Sequence, residues 1–445
     1  MAATATVAVR ASDRVIAAAY GRWFSGVRTG GFVLRRQVGK DLAVDHRAPT
    51  RRARLAGVAA ALLLVGGAVG LALVQNGRTS SDAAATGTPV AAAKDSTTTT
   101  VAPSSTTSIP STVGTQLTLV RRLTGDLTPK SVVASNDGLV LAQNMIYKRT
   151  ISAYKADGTF VKTIPSTVDL AAFGITDHPA GPVEGGPVEL AFSPDGTKAY
   201  TSNYEMYGPG FANPGDDDCL ASAHYDNSFV YRLDVKTLAV DQVIEVGPVP
   251  KYVATTPDGR YVLVSNWCGY DLSIIDTALG KEVQRLPMGQ YPRGIVVSPD
   301  SSTAYVAIMG GTEVRTVDLT TFAVGSLGYV GNNPRHLVLS PDGKTMYVTL
   351  NGEGRVASVD VATGNVLAKV TTGQAPRSMA ISADGASLYV VNYDSNTMTK
   401  LNTADMSEVQ EIPTDGSPIG ITYDSSTGDI WVACYSGSLT VFHDG

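Results

Sequence analysis

The stretch 334–375, PRHLVLSPDGKTMYVTLNGEGRVASVDVATGNVLAKVTTGQA, decides how this chain folds. Four short runs rich in Val, Leu and Tyr stand out, at 335–339, 346–350, 356–360 and 366–370. Between them lie SPDG, NGEG and ATG, whose Gly, Pro, Asn and Asp residues favour turns over strands. The unit recurs: Pro250, Pro292, Pro334, Pro376 and Pro418 are spaced 42 residues apart. The same spacing separates Asp234, Asp276, Asp318, Asp360, Asn402 and Asp444. Turns of the same kind sit at 193–196 (SPDG), 256–259 (TPDG), 298–301 (SPDS) and 382–385 (SADG).

Pro129 and Pro187 open two further units, which brings the count to seven. Four strands per repeat of this length are the signature of a β-propeller blade. A solenoid needs shorter repeats, and an isolated four-stranded unit of this size would be marginally stable. The expected fold is all-β: a seven-bladed β-propeller of four-stranded antiparallel blades over 116–445. Asp444 ends a third strand, so the last blade lacks its fourth. The segment 116–123, QLTLVRRL, resembles the fourth strands at 281–286 and 366–370 and is expected to complete that blade, leaving no open sheet edge.

The SPDG-x-x-x-YV pattern, YVTLN and G-x-x-P about 40 residues apart resemble the YVTN-repeat (YncE-like) family of seven-bladed propellers over 116–445. The resemblance implies the fold, and it implies that ligands meet the central channel on the face bearing the turns after strand two and the connections between blades. It leaves function open, because such relatives include surface-layer proteins, lactonases and nucleic-acid binders.

Irregular features gather on that face. Two insertions, 168–186 and 205–228, exceed the repeat, and a loop the ring does not need is often functional. A cation follows the first-strand Pro in five blades: Lys130, Lys251, Arg293, Arg335 and Arg377. Seven-fold geometry would bring these to the channel mouth, either as an anion site or as partners of acidic neighbours between blades. Tyr204, Trp267 and Tyr393 share those turns and suit sugar, peptide or protein contact, or packing between loops. Cys219 and Cys268 fall on one face of adjacent blades and are expected to form a disulfide, whereas Cys434 stands at a buried strand position. Asp216, Asp217 and Asp218 carry oxygen ligands that would suit calcium, yet no EF-hand spacing accompanies them. Neither a metal nor another cofactor is expected.

No H-E-x-x-H, G-x-S-x-G, C-x-x-C-H or phosphate-loop pattern is present. His336 is the acid–base candidate, with Glu205 as its partner. The expectation is a non-enzymatic binding module for a cell-envelope protein, glycan or small anionic ligand. The alternative is a lactonase or lyase acting on a small anion at the channel mouth.

Charge partitions the chain. Residues 1–54 carry eleven Lys or Arg against three Asp, a net of +8, within a total of −5. The remainder is therefore at −13. An uncharged run of twenty residues, LAGVAAALLLVGGAVGLALV at 55–74, separates the two parts. As a helix it would span the ~30 Å hydrocarbon core. Arg51, Arg52 and Arg54 at its start place 1–54 in the cytoplasm and the rest outside, so a single-pass membrane anchor from Leu55 to Val74 is expected. The segment 75–115 is rich in Ser and Thr, lacks aromatic residues and reads as a flexible linker. A charged fraction of 17% excludes a coiled coil, and a pI near 5.6 argues against nucleic acid as partner.

Overall fold

The computed structural model of the protein describes residues 111–445. The expected tail at 1–54, the membrane span at 55–74 and the linker up to residue 110 lie outside the described residues. Among the described residues no helix is long and apolar enough to cross a membrane.

Seven antiparallel sheets form a propeller. Six have four strands. Blade 2 has five, because part of the first insertion, Thr167–Asp169, pairs with the start of the long inner strand Pro182–Phe192. Inner strands such as Pro250–Thr255, Pro292–Val297, Pro334–Leu339 and Pro376–Ile381 line the channel. Second strands are covered on both sides by neighbouring blades; Tyr261–Asn266 and Asp429–Cys434 are buried along their whole length. The core therefore lies between blades, as where Leu263 and Ile274 of blade 3 meet Ile295 and Val306 of blade 4.

Ring closure is direct. Leu117–Thr124 pairs with Ser438–Asp444, placing Leu117 opposite Asp444 and Thr124 opposite Ser438. Residues just before the closing strand are also held, although the linker is expected to run to 115. Lys400 Nζ, wholly buried, donates to the Thr112 and Thr115 carbonyls at 2.8 Å each and to Asp444 Oδ1 at 2.6 Å. Tyr389 donates its hydroxyl to the other Asp444 oxygen at 2.5 Å. The physical reason for the difference is that a buried ammonium needs acceptors, and these Thr carbonyls supply two of them.

Two glycines let inner strands approach each other. A Cβ on Gly294 would sit 2.7 Å from the Arg335 carbonyl oxygen, and one on Gly420 would sit 2.8 Å from Ser131 Cα. Both obstacles are backbone, so the strand itself would have to move. Gly294→Val is expected to cost about 1–3 kcal/mol, as overpacking does. Its urea midpoint, compared with that of wild type, checks this.

Candidate functional site

Four cations of the ring are aimed by a local irregularity. The pairing of inner and second strand shifts register between Pro250 and Tyr252, Pro292 and Ile295, Pro334 and Leu337, and Pro376 and Met379. A bulge of this kind re-aims the side chain it contains, and the residue after each Pro is Lys251, Arg293, Arg335 or Arg377. Lys130 takes the same place in blade 1. Val188 and Ile419, both buried, fill the two remaining positions.

The five cations converge closely enough to perturb one another. Burial first, and then Lys251, hold the Lys130 ammonium well below its ordinary pKa. Burial likewise brings Lys251 down to about 8, against the opposing pull of Asp217. Burial and repulsion from Arg293 and Arg377 disfavour the charge on Arg335. A guanidinium keeps its proton in a protein, so at Arg335 this strain persists as unbalanced positive potential.

Compensation is partial. Lys251 pairs with Asp217 of the second insertion, which Tyr204 also contacts through its hydroxyl at 3.3 Å. Arg293 reaches Glu189 at 3.4 Å and donates to the Lys251 carbonyl at 2.5 Å. Arg377 lies over the Tyr393 ring at 3.9 Å, and Lys130 lies 5.2 Å from the Tyr435 ring centre. Arg335, only 3% exposed, has no ion pair among the described residues, and the Arg377 Nε is buried without a partner. Five cations thus face two carboxylates in direct contact.

A second layer lies one residue further along each inner strand: Ser131, Glu189, Tyr252, Gly294, His336, Ser378 and Gly420. Two glycines and two serines leave room in it. Below runs a cavity of about 490 Å³ with mainly apolar walls, including Leu190, Ile295, Val338 and Ile421. Glu189 and Tyr252 are not among the candidates read from sequence. The repeat could have revealed them, since they follow Val188 and Lys251 as His336 follows Arg335.

His336 and Glu205 are not brought together. His336 Nε2 meets the Tyr252 hydroxyl at 3.0 Å, and its Nδ1 is buried without a partner. Burial, then Arg335 and Arg293, bring its pKa down to about 3, so the imidazole is neutral at ordinary pH. Glu205 instead accepts from the Tyr207 hydroxyl, and burial brings its pKa up to about 7. The expected acid–base pair is therefore not formed, because His336 is engaged by Tyr252 of blade 3 and Glu205 by Tyr207 of its own strand.

The second insertion is tied over the rim. Cys219 and Cys268 form a disulfide, with Cα atoms 5.3 Å apart. Tyr270 and Tyr291 donate their hydroxyls to the Cys219 carbonyl at 3.1 and 3.3 Å. Trp267 stacks on Tyr291 with ring centres 4.4 Å apart and donates its indole N–H to the Asp217 carbonyl at 3.1 Å. Asp216 accepts from the backbone N–H of Asp218. Among the described residues no three potential metal-ligating His, Cys, Asp or Glu side chains converge. Cys434 is a buried free thiol.

Fold and site together define the class: a seven-bladed propeller whose channel mouth is rimmed by cations and partly covered by a disulfide-tied insertion. Residues 300–426 match the family described as Cytochrome D1 heme domain. Among solved structures, Kuenenia stuttgartiensis hydrazine synthase is similar, with a TM-score of 0.56 and 19% identity, covering 72% of this chain and 96% of that one. A likeness at that identity is one of fold. No curated protein matches the chain.

The family match corrects two expectations, that the propeller is not an enzyme and that it has no cofactor, because the matched family is named for a haem. Linear motifs are a poor guide to such a site, because its five cations come from five different blades.

Proposed function

We propose that the channel mouth binds a small, multiply charged anion, as substrate or as the acidic part of a cofactor, through Lys130, Lys251, Arg293, Arg335 and Arg377. The observation that carries this reading is an undercompensated ring of buried cations, in which the Arg377 Nε is buried without a partner and burial, Arg293 and Arg377 disfavour the charge on Arg335. Burying such a group unpaired is costly, and a carboxylate or phosphate would relieve the cost with charge-assisted bonds.

A haem, suggested by the matched family, fits this site in one respect only. The ring suits the carboxylates at a macrocycle's edge. His336 does not suit its iron, because Nε2 is engaged by Tyr252 and Nδ1 is sealed. The proposed role of the ring therefore involves no step through iron. Lactone hydrolysis through His336 and Glu205 finds no support in their separate partners.

The YVTN-repeat resemblance and the 55–74 segment support a further part of the proposal. The chain is a membrane-anchored member of that propeller family, with its N-terminus cytoplasmic and its propeller outside the cell, where the disulfide suits an oxidising compartment. A cell-envelope component, whether glycan, protein or small anion, is then the accessible partner.

The test is titration calorimetry of the full chain in detergent with citrate and with pyrophosphate. Changing Arg293, Arg335 and Arg377 together to Gln is expected to weaken binding at least tenfold; unchanged affinity refutes the anion site. A pH series provides a second check. Affinity is expected to fall as pH rises past about 8, where Lys251 loses its proton. An absorption spectrum of the chain purified from its own cells reads whether a tetrapyrrole accompanies it.

A further inference from the structure

Resting on the anion-site reading, we propose that Asp217 is a tethered carboxylate occupying part of the channel-mouth site, and that a soluble polycarboxylate binds by displacing it.

The insertion at 205–228 is unnecessary for ring closure, yet it delivers one carboxylate to the ring. Asp217 touches Lys251, which is 6% exposed, while its own side chain is 55% exposed. It therefore lies on the solvent side of the cations, where an incoming anion arrives. Burial alone would raise its pKa, but Lys251 and Lys130 outweigh that and hold the carboxyl far below its ordinary range.

The anchors of the insertion are separate from this contact. They are the Cys219–Cys268 disulfide, the Trp267 bond to the Asp217 carbonyl, and the two tyrosine hydroxyls on the Cys219 carbonyl. The carboxylate itself is held by Lys251 and Tyr204. It can swing away while the loop backbone stays in place.

Such an exchange selects for valence. A monocarboxylate replacing Asp217 trades one ion pair for an equivalent one and pays the entropy of association. A di- or tricarboxylate fills the vacated place at Lys251 and Lys130 and also reaches Arg335 or Arg377, which lack carboxylate partners. The loop thereby lowers the affinity of every anion by the same factor, and only one that reaches the further cations binds well in spite of it.

The experiment compares wild type, Asp217→Asn and Asp218→Asn, as full chains in detergent, binding citrate and acetate. Asp218 sits on the same loop and has no contact with the ring, so it controls for long-range charge. Asp217→Asn is expected to bind citrate at least fivefold tighter, and acetate tighter by a similar factor, with Asp218→Asn within twofold of wild type. Equal shifts in both variants, or unchanged citrate affinity in Asp217→Asn, overturn the displacement and leave the anion site standing. Citrate binding to Asp217→Asn alone supports it as a masked site. Citrate binding to neither protein overturns the anion site itself.

Discussion

Replacing Lys400 by Met is expected to lower the unfolding free energy by about 3–5 kcal/mol, the usual consequence of removing one partner of a buried ion pair. The side chains of Lys400 and Asp444 are both wholly inaccessible to solvent. The substitution strands the Asp444 carboxylate and also leaves the Thr112 and Thr115 carbonyls without their shared donor. Those groups belong to the segment before the closing strand, to the last strand and to blade 6, so the defect falls on the seam of the ring. Urea unfolding followed through the buried Trp431 of blade 7 measures the loss. Lys400→Met combined with Asp444→Leu is expected to recover a good part of it, since no charge is then left unpaired. A single variant within 1 kcal/mol of wild type would show that the seam is held elsewhere.

Opening the Cys219–Cys268 bond is expected to cost up to about 4 kcal/mol, from the chain entropy released by a cross-link spanning 49 residues. The enclosed segment includes the outer strands of blade 2 and the inner strands of blade 3, so both blades should loosen. Cys219→Ser, Cys268→Ser and the double variant are expected to lose the same amount, because one bond is lost in each. Denaturant midpoints with and without reductant measure it. Cys434 is buried and does not offer a ready alternative partner. Stability unchanged by reductant would mean that the insertion is held by its aromatic contacts alone.

How much of this was visible in the chain itself differs from feature to feature. Blade number, strand order and closure were legible because the ring demands the same turn at the same interval, and turn chemistry is local. The inward aim of Arg293 and Arg335 was legible for the same reason, since a cation follows the Pro in repeat after repeat. Glu189 and Tyr252 share the repeat position of His336, but their partners, Arg293 and His336, lie two blades further round the ring, which the repeat alone does not pair. The separation of His336 from Glu205 depends on side-chain partners in different blades, which no spacing encodes. The fifth strand of blade 2 escaped too, since Thr167–Asp169 has only three residues and becomes a strand by pairing with a neighbour. The family match over 300–426 corrected the reading of activity where the lack of a linear motif had suggested none.

The closing seam has a consequence for biosynthesis. Thr115 bonds to Asp444 across a sequence separation of 329 residues. At roughly 5–20 residues per second, their synthesis is separated by something like half a minute. During that interval the strand Leu117–Thr124 emerges early and waits with its backbone donors and acceptors unshared. Strand pairing over such a distance is also intrinsically slow. The nascent chain thus passes through a window in which its earliest strand can pair with the wrong partner, including the same strand of another copy. The Arg121–Arg122 pair within that strand places like charges at the exposed edge and discourages such self-association until the ring is complete.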